Sequence, residues 1–209
     1  MIVVTACFRS ETRSIQPRDG VRIVRTRMGA RAADDLTRAV GKGARLSLLL
    51  STGFCGGLAP ELRLGDLVMA DEVRTNSEAV RVDRALVDRA RAALGAGGLA
   101  ARVGSVECSD DVADRSDKRA LAARGGISVD LESGPLARWA RANNVPFLSC
   151  RVVLDTVDEE FPFSAGGPLW VAVLRHPAVA ARAGRTAGVA AARLGAAVGR
   201  LLDSWEAGR

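Results

Sequence analysis

Two acids stand where apolar runs give way to polar sequence, a place where a carboxylate can meet a ligand instead of bulk water. In residues 128–134 (SVDLESG), Asp130 and Glu132 flank Leu131 just before a helical pattern. A carboxylate there can accept hydrogen bonds from both hydroxyls of a ribose, charge-assisted bonds worth roughly 1.5–3 kcal/mol each. It can equally cap the helix that starts near Ser133. In residues 151–159 (RVVLDTVDE), Asp155 ends an apolar run. Partial desolvation at such a point raises a carboxyl and lets it share a proton with a ring nitrogen. The alternatives are a surface acid or an ion-pair partner for Arg151. A third stretch, residues 51–60 (STGFCGGLAP), places Phe54, Cys55 and Gly56 after a buried run. Glycines there let backbone N–H groups approach ribose oxygens, an anion or a water, or they make an ordinary turn.

The elements that must hold these residues follow from periodicity. Short aliphatic runs predict strands at 2–6, 21–26, 46–51, 67–71, 101–108, 127–131 and 147–154; spacing near i, i+3, i+4 predicts helices at 30–40, 82–94, 114–123 and 133–142. Gly41 and Gly95 sit where left-handed helix ends are expected. Alternating strands and helices predict a layered α/β fold, with nearly continuous apolar strands covered on both faces. The glycine-rich residues 53–65 and the Pro/Gly-rich residues 159–168 are the expected site loops.

The length of 209 residues and 48% hydrophobic content suit one domain. Lys and Arg alternate with Asp and Glu, so a net charge of +6 permits acidic ligands without requiring nucleic acid; 4% aromatic residues and no Tyr leave few stacking platforms for it. Cys7, Cys55, Cys108 and Cys150 form no C-x-x-C pair and read as buried free thiols of a cytoplasmic protein. With His176 far from all of them, no metal site is expected. A final helix from Pro177 to about residue 205 sorts its faces. Arg175, Arg182, Arg193 and Arg200 line one side, Leu194, Val198, Leu201, Leu202 and Trp205 another, and Gly184, Gly188, Gly195 and Gly199 a third. Such a helix packs on the sheet or a partner subunit, or meets anionic lipid at the inner membrane face through its arginines.

Taken together, the three stretches resemble the superfamily of purine nucleoside phosphorylases, uridine phosphorylases and methylthioadenosine/S-adenosylhomocysteine nucleosidases. Residues 53–57 with Leu64, Gly65 and Asp66 look like the family's glycine-rich loop, and Arg27, Met28 and Gly29 like the loop feeding its first helix. Val129 to Glu132 are similar to its ribose motif, and Arg151 to Asp155 to its strand ending in the catalytic acid. The resemblance spans nearly the whole chain and implies a three-layer α/β/α phosphorylase/hydrolase-like fold with a mixed, partly barrel-like sheet. It implies that Glu132 binds the ribose hydroxyls, Leu131 packs on the sugar, Asp155 assists the purine N7, and Asp111, Val112 and Ala113 read the base edge. In the hydrolytic branch a glutamate after the first strand activates water; Glu11 is the residue at that place, at an offset that departs from the family's.

Phe54 and Leu154 stand where serines are usual in the family, which makes the pocket more apolar. Arg18, Asp19 and Gly20 do not reproduce the phosphate loop of the phosphorolytic branch, so hydrolysis is favoured over use of inorganic phosphate as co-substrate. No other cofactor is implied. The compact length and the tail Leu174-Arg175-His176-Pro177 look most like the hopanoid-associated phosphorylase group, thought to release adenine from the lipid nucleoside adenosylhopane. The competing substrates are small soluble nucleosides such as methylthioadenosine or futalosine. Relatives of this kind imply a homo-oligomer.

Overall fold

The computed structural model describes residues 1–41, 43–158 and 177–207, with side chains at all of these except 177–186 and 207. Along them run β1 (Ile2–Ala6), α1 (Arg9–Thr12), β2 (Val21–Arg25), α2 (Arg31–Val40), β3 (Leu48–Gly57), β4 (Leu67–Arg74) and β5 (Ala79–Arg81). There follow α3 (Arg84–Ala96), β6 (Ala101–Cys108), α4 (Arg115–Ala123), β7 (Ser128–Asp130), α5 (Ser133–Ala142), β8 (Phe147–Asp155) and α6 (Pro177–Ala207). Most boundaries lie within a residue or two of those expected from the apolar spacing. The short α1 and β5 were not expected, because three or four residues cannot display a period. Gly41 ends α2 with a positive φ of 81°, though its ψ of 160° is extended and not that of the left-handed cap expected; Gly95 lies inside α3, and the positive φ there falls at Gly98.

One correction matters for the site. Residues 53–57 are not a loop: β3 runs through them to Gly57 because β8 pairs alongside from Leu49 to Gly56 and satisfies the ladder. The turn begins only after Gly57.

The mixed sheet closes on itself. β3 pairs with β8, β8 with β4, β4 with β6, β6 with β7, and β7 returns to β3, while β1 and β2 extend from β3 and β5 hangs on β4. The expected partly barrel-like sheet is therefore a ring of five strands with side strands. Helix α6 packs with α1 and α3 and against β8 and β3; α2 and α5 pack together, joined by the Trp139 indole N–H donating to Thr37 Oγ1 at 2.8 Å. Leu194, Val198, Leu201 and Leu202 of α6 are buried in the same core as β1, β3 and β8. Gly195 makes the close backbone approach its small size suggested, since a Cβ there would meet Ser14 carbonyl oxygen at 2.8 Å. Gly188 makes none. Arg193 is half-buried and Arg200 lies along Gly97, so the two differ in setting. Arg175, His176 and residues 159–168 lie outside the described residues, as do the side chain of Arg182 and the surroundings of Gly184.

At β3 the sheet changes hands. β1 pairs with it in parallel only as far as Ser51, and β7 takes over antiparallel at Gly56. The edge from Thr52 to Cys55 is left between the two. A change of strand neighbour opens a crevice at carboxyl ends, where open α/β sheets bind ligands.

Candidate active site

Glu11 reaches this gap because α1 is a single turn that folds back over the end of β1. Its Oε2 accepts the backbone N–H groups of Cys7 and Phe8, both at 2.7 Å, and its Oε1 accepts that of Phe54 at 2.9 Å. The carboxylate thus occupies the edge position that a neighbouring strand would fill. Burial pushes its carboxyl up; the N–H groups of Phe8 and Phe54 and the charge of Arg151 partly offset this. The offset of Glu11 from β1 is absorbed by the helical turn.

Arg151 is the hub. It projects from β8 with 1% of its surface exposed, and its guanidinium pairs with Asp130 at 2.8 Å and Glu132 at 3.2 Å. It also donates to Ser51 Oγ at 3.0 Å, and to the Thr52 carbonyl and the Ser133 hydroxyl, both at 3.3 Å. Burial works against its charge, but Asp130, Glu132 and Glu11 more than offset this and hold it protonated beyond the ordinary arginine range. Gly53 is what lets Glu11 and Arg151 both approach this point of β3. At φ +148° a Cβ on this residue would lie 2.6 Å from Arg151 Nη1 and 2.8 Å from Glu11 Oε1.

The two acids of the 128–134 stretch divide the tasks that the sequence left open. Asp130 does the capping: it accepts the backbone N–H of Ser133 at 3.1 Å and the Ser133 hydroxyl. Glu132 makes no side-chain cap and turns to Arg151. Its carboxyl is pushed up to about 7, first by burial, with Arg151 opposing and Asp130 and Glu11 adding to the rise; a backbone N–H at Gly29 also favours the anion. That contact places the Arg27–Gly29 loop at the site. Leu131 is half-buried beside it.

Asp155 ends β8 and pairs with Lys118, not with Arg151. Lys118 comes from α4 and is 2% exposed; its ammonium also donates to the Thr156 carbonyl at 3.1 Å. The pair lies against β3 at Gly56, where a Cβ would meet Val129 at 3.1 Å, Lys118 Cε at 3.2 Å and Asp155 Oδ1 at 3.4 Å. Gly53 and Gly56 are three residues apart, about 10 Å of strand. The Glu11–Arg151–Glu132 group and the Lys118–Asp155 pair therefore bracket a span comparable to a sugar and its base.

Phe54 is half-buried against the core, Leu154 is half-buried, and Cys55 is buried, which raises its thiol. Cys7 adjoins the glutamates and its thiol is pushed up to about 12 by burial and by Glu132 and Glu11. It is half-buried, as is Cys108; all four cysteines are free. Asp111 is exposed and Val112 and Ala113 half-buried on the connection from β6 to α4, the helix that carries Lys118. A cavity of about 400 Å³ opens beyond Asp155, lined by Pro60, Leu62, Leu64, Thr156 and Val157. It contains neither glutamate, so it adjoins only the Asp155 end. Sequence reasoning missed Lys118, Cys7 and the hub role of Arg151. The one available signal was that Lys118 is among just two lysines in the chain.

The family model of the phosphorylase superfamily matches residues 8–192, and the chain belongs to that family. It is 30% identical over 138 residues to a 5'-methylthioadenosine/S-adenosylhomocysteine nucleosidase of Geobacillus thermodenitrificans, covering 56% of this chain and 58% of the relative. The fold matches the solved 5'-methylthioadenosine/S-adenosylhomocysteine nucleosidase of Helicobacter pylori with a TM-score of 0.77 over 97% of both chains at 14% identity. It also matches the futalosine hydrolase of the same organism, with a TM-score of 0.72 over 94% of this chain and 96% of that one at 16% identity.

Proposed function

We propose that this protein hydrolyses the N-glycosidic bond of a purine nucleoside and releases the free base. The observation that carries the reading is the pair of glutamates, Glu132 bonded to buried Arg151 and Glu11 bonded to the β3 edge that β1 and β7 leave unpaired, with Asp155 at the end of the neighbouring β8. Glu132, as the anion, accepts the ribose hydroxyls, and Leu131 and Phe54 pack on the sugar. Glu11 takes a proton from the attacking water. Asp155 delivers a proton to N7 as the base leaves, and Asp111, Val112 and Ala113 face the base edge. General acid catalysis of this kind supplies about 10²–10⁴-fold.

Water is favoured over phosphate as the nucleophile because both buried cations described at the site already carry carboxylates: Arg151 holds Asp130 and Glu132, and Lys118 holds Asp155. Arg18 is bonded to Asp203 of α6 at 2.5 Å. A phosphate dianion needs cations and N–H donors aimed at it.

The substrate we infer is an adenosyl compound with a large apolar 5' group, such as adenosylhopane. Phe8 and Met28, 48% and 47% exposed, sit on the two loops whose backbone N–H groups bond Glu11 and Glu132. They give the site an apolar rim. Methylthioadenosine and futalosine are the alternatives, favoured by the relatives named above. Incubation with a lipid-linked adenosyl compound, methylthioadenosine and futalosine, with and without phosphate, reads free base and sugar product. Release of base without phosphate supports hydrolysis; tight binding without turnover in either buffer would overturn the enzymatic reading.

A further inference from the structure

We propose that Lys118 supplies the proton that Asp155 passes to the departing base, so that the leaving group is served by a two-residue relay. This rests on the hydrolytic reading above and deepens it. Asp155 in contact with an ammonium is held as a carboxylate, and a carboxylate has no proton to give. Its nearest donor is the same ammonium, enclosed on α4 and anchored by Asp155 and the Thr156 carbonyl.

The residue type is informative. The chain has two lysines among 30 basic residues, and among the described residues every other ion pair of a basic side chain uses arginine. An arginine would neutralise Asp155 equally well but cannot release its proton, whereas a lysine can. Lysine therefore stands at the one buried pair whose carboxylate has to become an acid. Gly56 keeps the β3 surface flat where the pair rests.

The step balances. As the C1'–N9 bond breaks, its electron pair goes to the purine. A Lys118 N–H bond breaks to form an Asp155 O–H, and that O–H breaks to form N7–H, which leaves Asp155 a carboxylate beside a neutral Lys118 amine. The Lys118 amine and the protonated Glu11 then exchange with solvent, one gaining and the other losing a proton.

The test compares wild type, Lys118→Arg and Lys118→Met on a purine nucleoside and on a 4-nitrophenyl riboside, whose phenolate leaves unprotonated. Both variants are expected to lose about 10²-fold in kcat on the purine, with KM and the nitrophenyl rate changed by less than about threefold. Full purine activity in Lys118→Arg, which keeps the ion pair and guards against misfolding, would overturn the relay. Equal losses on both leaving groups would also overturn it by revealing a structural role. A wild type that releases no purine removes the hydrolytic reading and the relay together, whereas either variant result in an active wild type removes the relay alone.

Discussion

Glu132 is under two opposed demands. It must be an anion to accept two hydroxyl bonds, yet its burial pushes the carboxyl up to about 7. Because the value is raised, the acceptor form gains population as pH rises through that point and is lost as pH falls below it. We expect kcat/KM to fall about tenfold per pH unit below 7 and to level off above it. Glu132→Gln should abolish that limb and lower kcat/KM by about 10²-fold or more. A profile that stays flat through pH 7 would remove the ribose-anchor role. Arg151 is bound by a different constraint. Its replacement by Met leaves Asp130 and Glu132 buried without their cation, and urea denaturation should report a loss of about 3–5 kcal/mol. A loss below about 1 kcal/mol would mean that the carboxylates find water on their own.

At the scale of elements, β3 holds the site by being incompletely paired. The parallel ladder with β1 stops at Ser51, β7 begins at Gly56, and Glu11 accepts the Phe54 N–H in between. Gly53 makes this possible, so Gly53→Ala should be strained by about 1–3 kcal/mol. It should also lower activity beyond what the folded fraction explains, because its Cβ would displace both Glu11 and Arg151. Normal turnover in that variant would show that the two side chains need not both approach this point. Helix α6 is legible in the sequence as a sorted helix, and of the two readings it allowed, the structure packs its apolar stripe on the sheet. Leu194 is fully buried against the sheet, so Leu194→Ala should cost about 2–5 kcal/mol in chemical denaturation. A near-neutral effect would mean that the apolar face of α6 is dispensable for the fold.

For the molecule as a whole, that packing limits how it can meet a membrane. Among the described residues no helix is long and apolar enough to cross one, and the apolar face of α6 belongs to the core. The attraction of α6 to anionic lipid then rests mainly on charge. Cosedimentation with anionic vesicles should therefore vanish as the Debye length shrinks from about 30 Å at 0.01 M salt to about 3 Å at 1 M. Retention at high salt would point to an apolar insertion that the packing of α6 does not provide. The sequence by itself determined the alternation of elements, the family, and the strand-end positions of Glu132 and Asp155, because these depend on local periodicity and on short contiguous motifs. Only the tertiary structure decided that Asp130 caps α5 and Glu132 does not, since both acids satisfy the same local pattern and both reach Arg151, but only Asp130 also bonds Ser133. It also carried β3 through the glycines, because the partner that satisfies their backbone is β8, about 100 residues away in sequence. And it brought Glu11 and Lys118 to one stretch of β3, at Gly53 and Gly56, a juxtaposition set by strand pairing and helix packing across the whole chain, which no local spacing encodes.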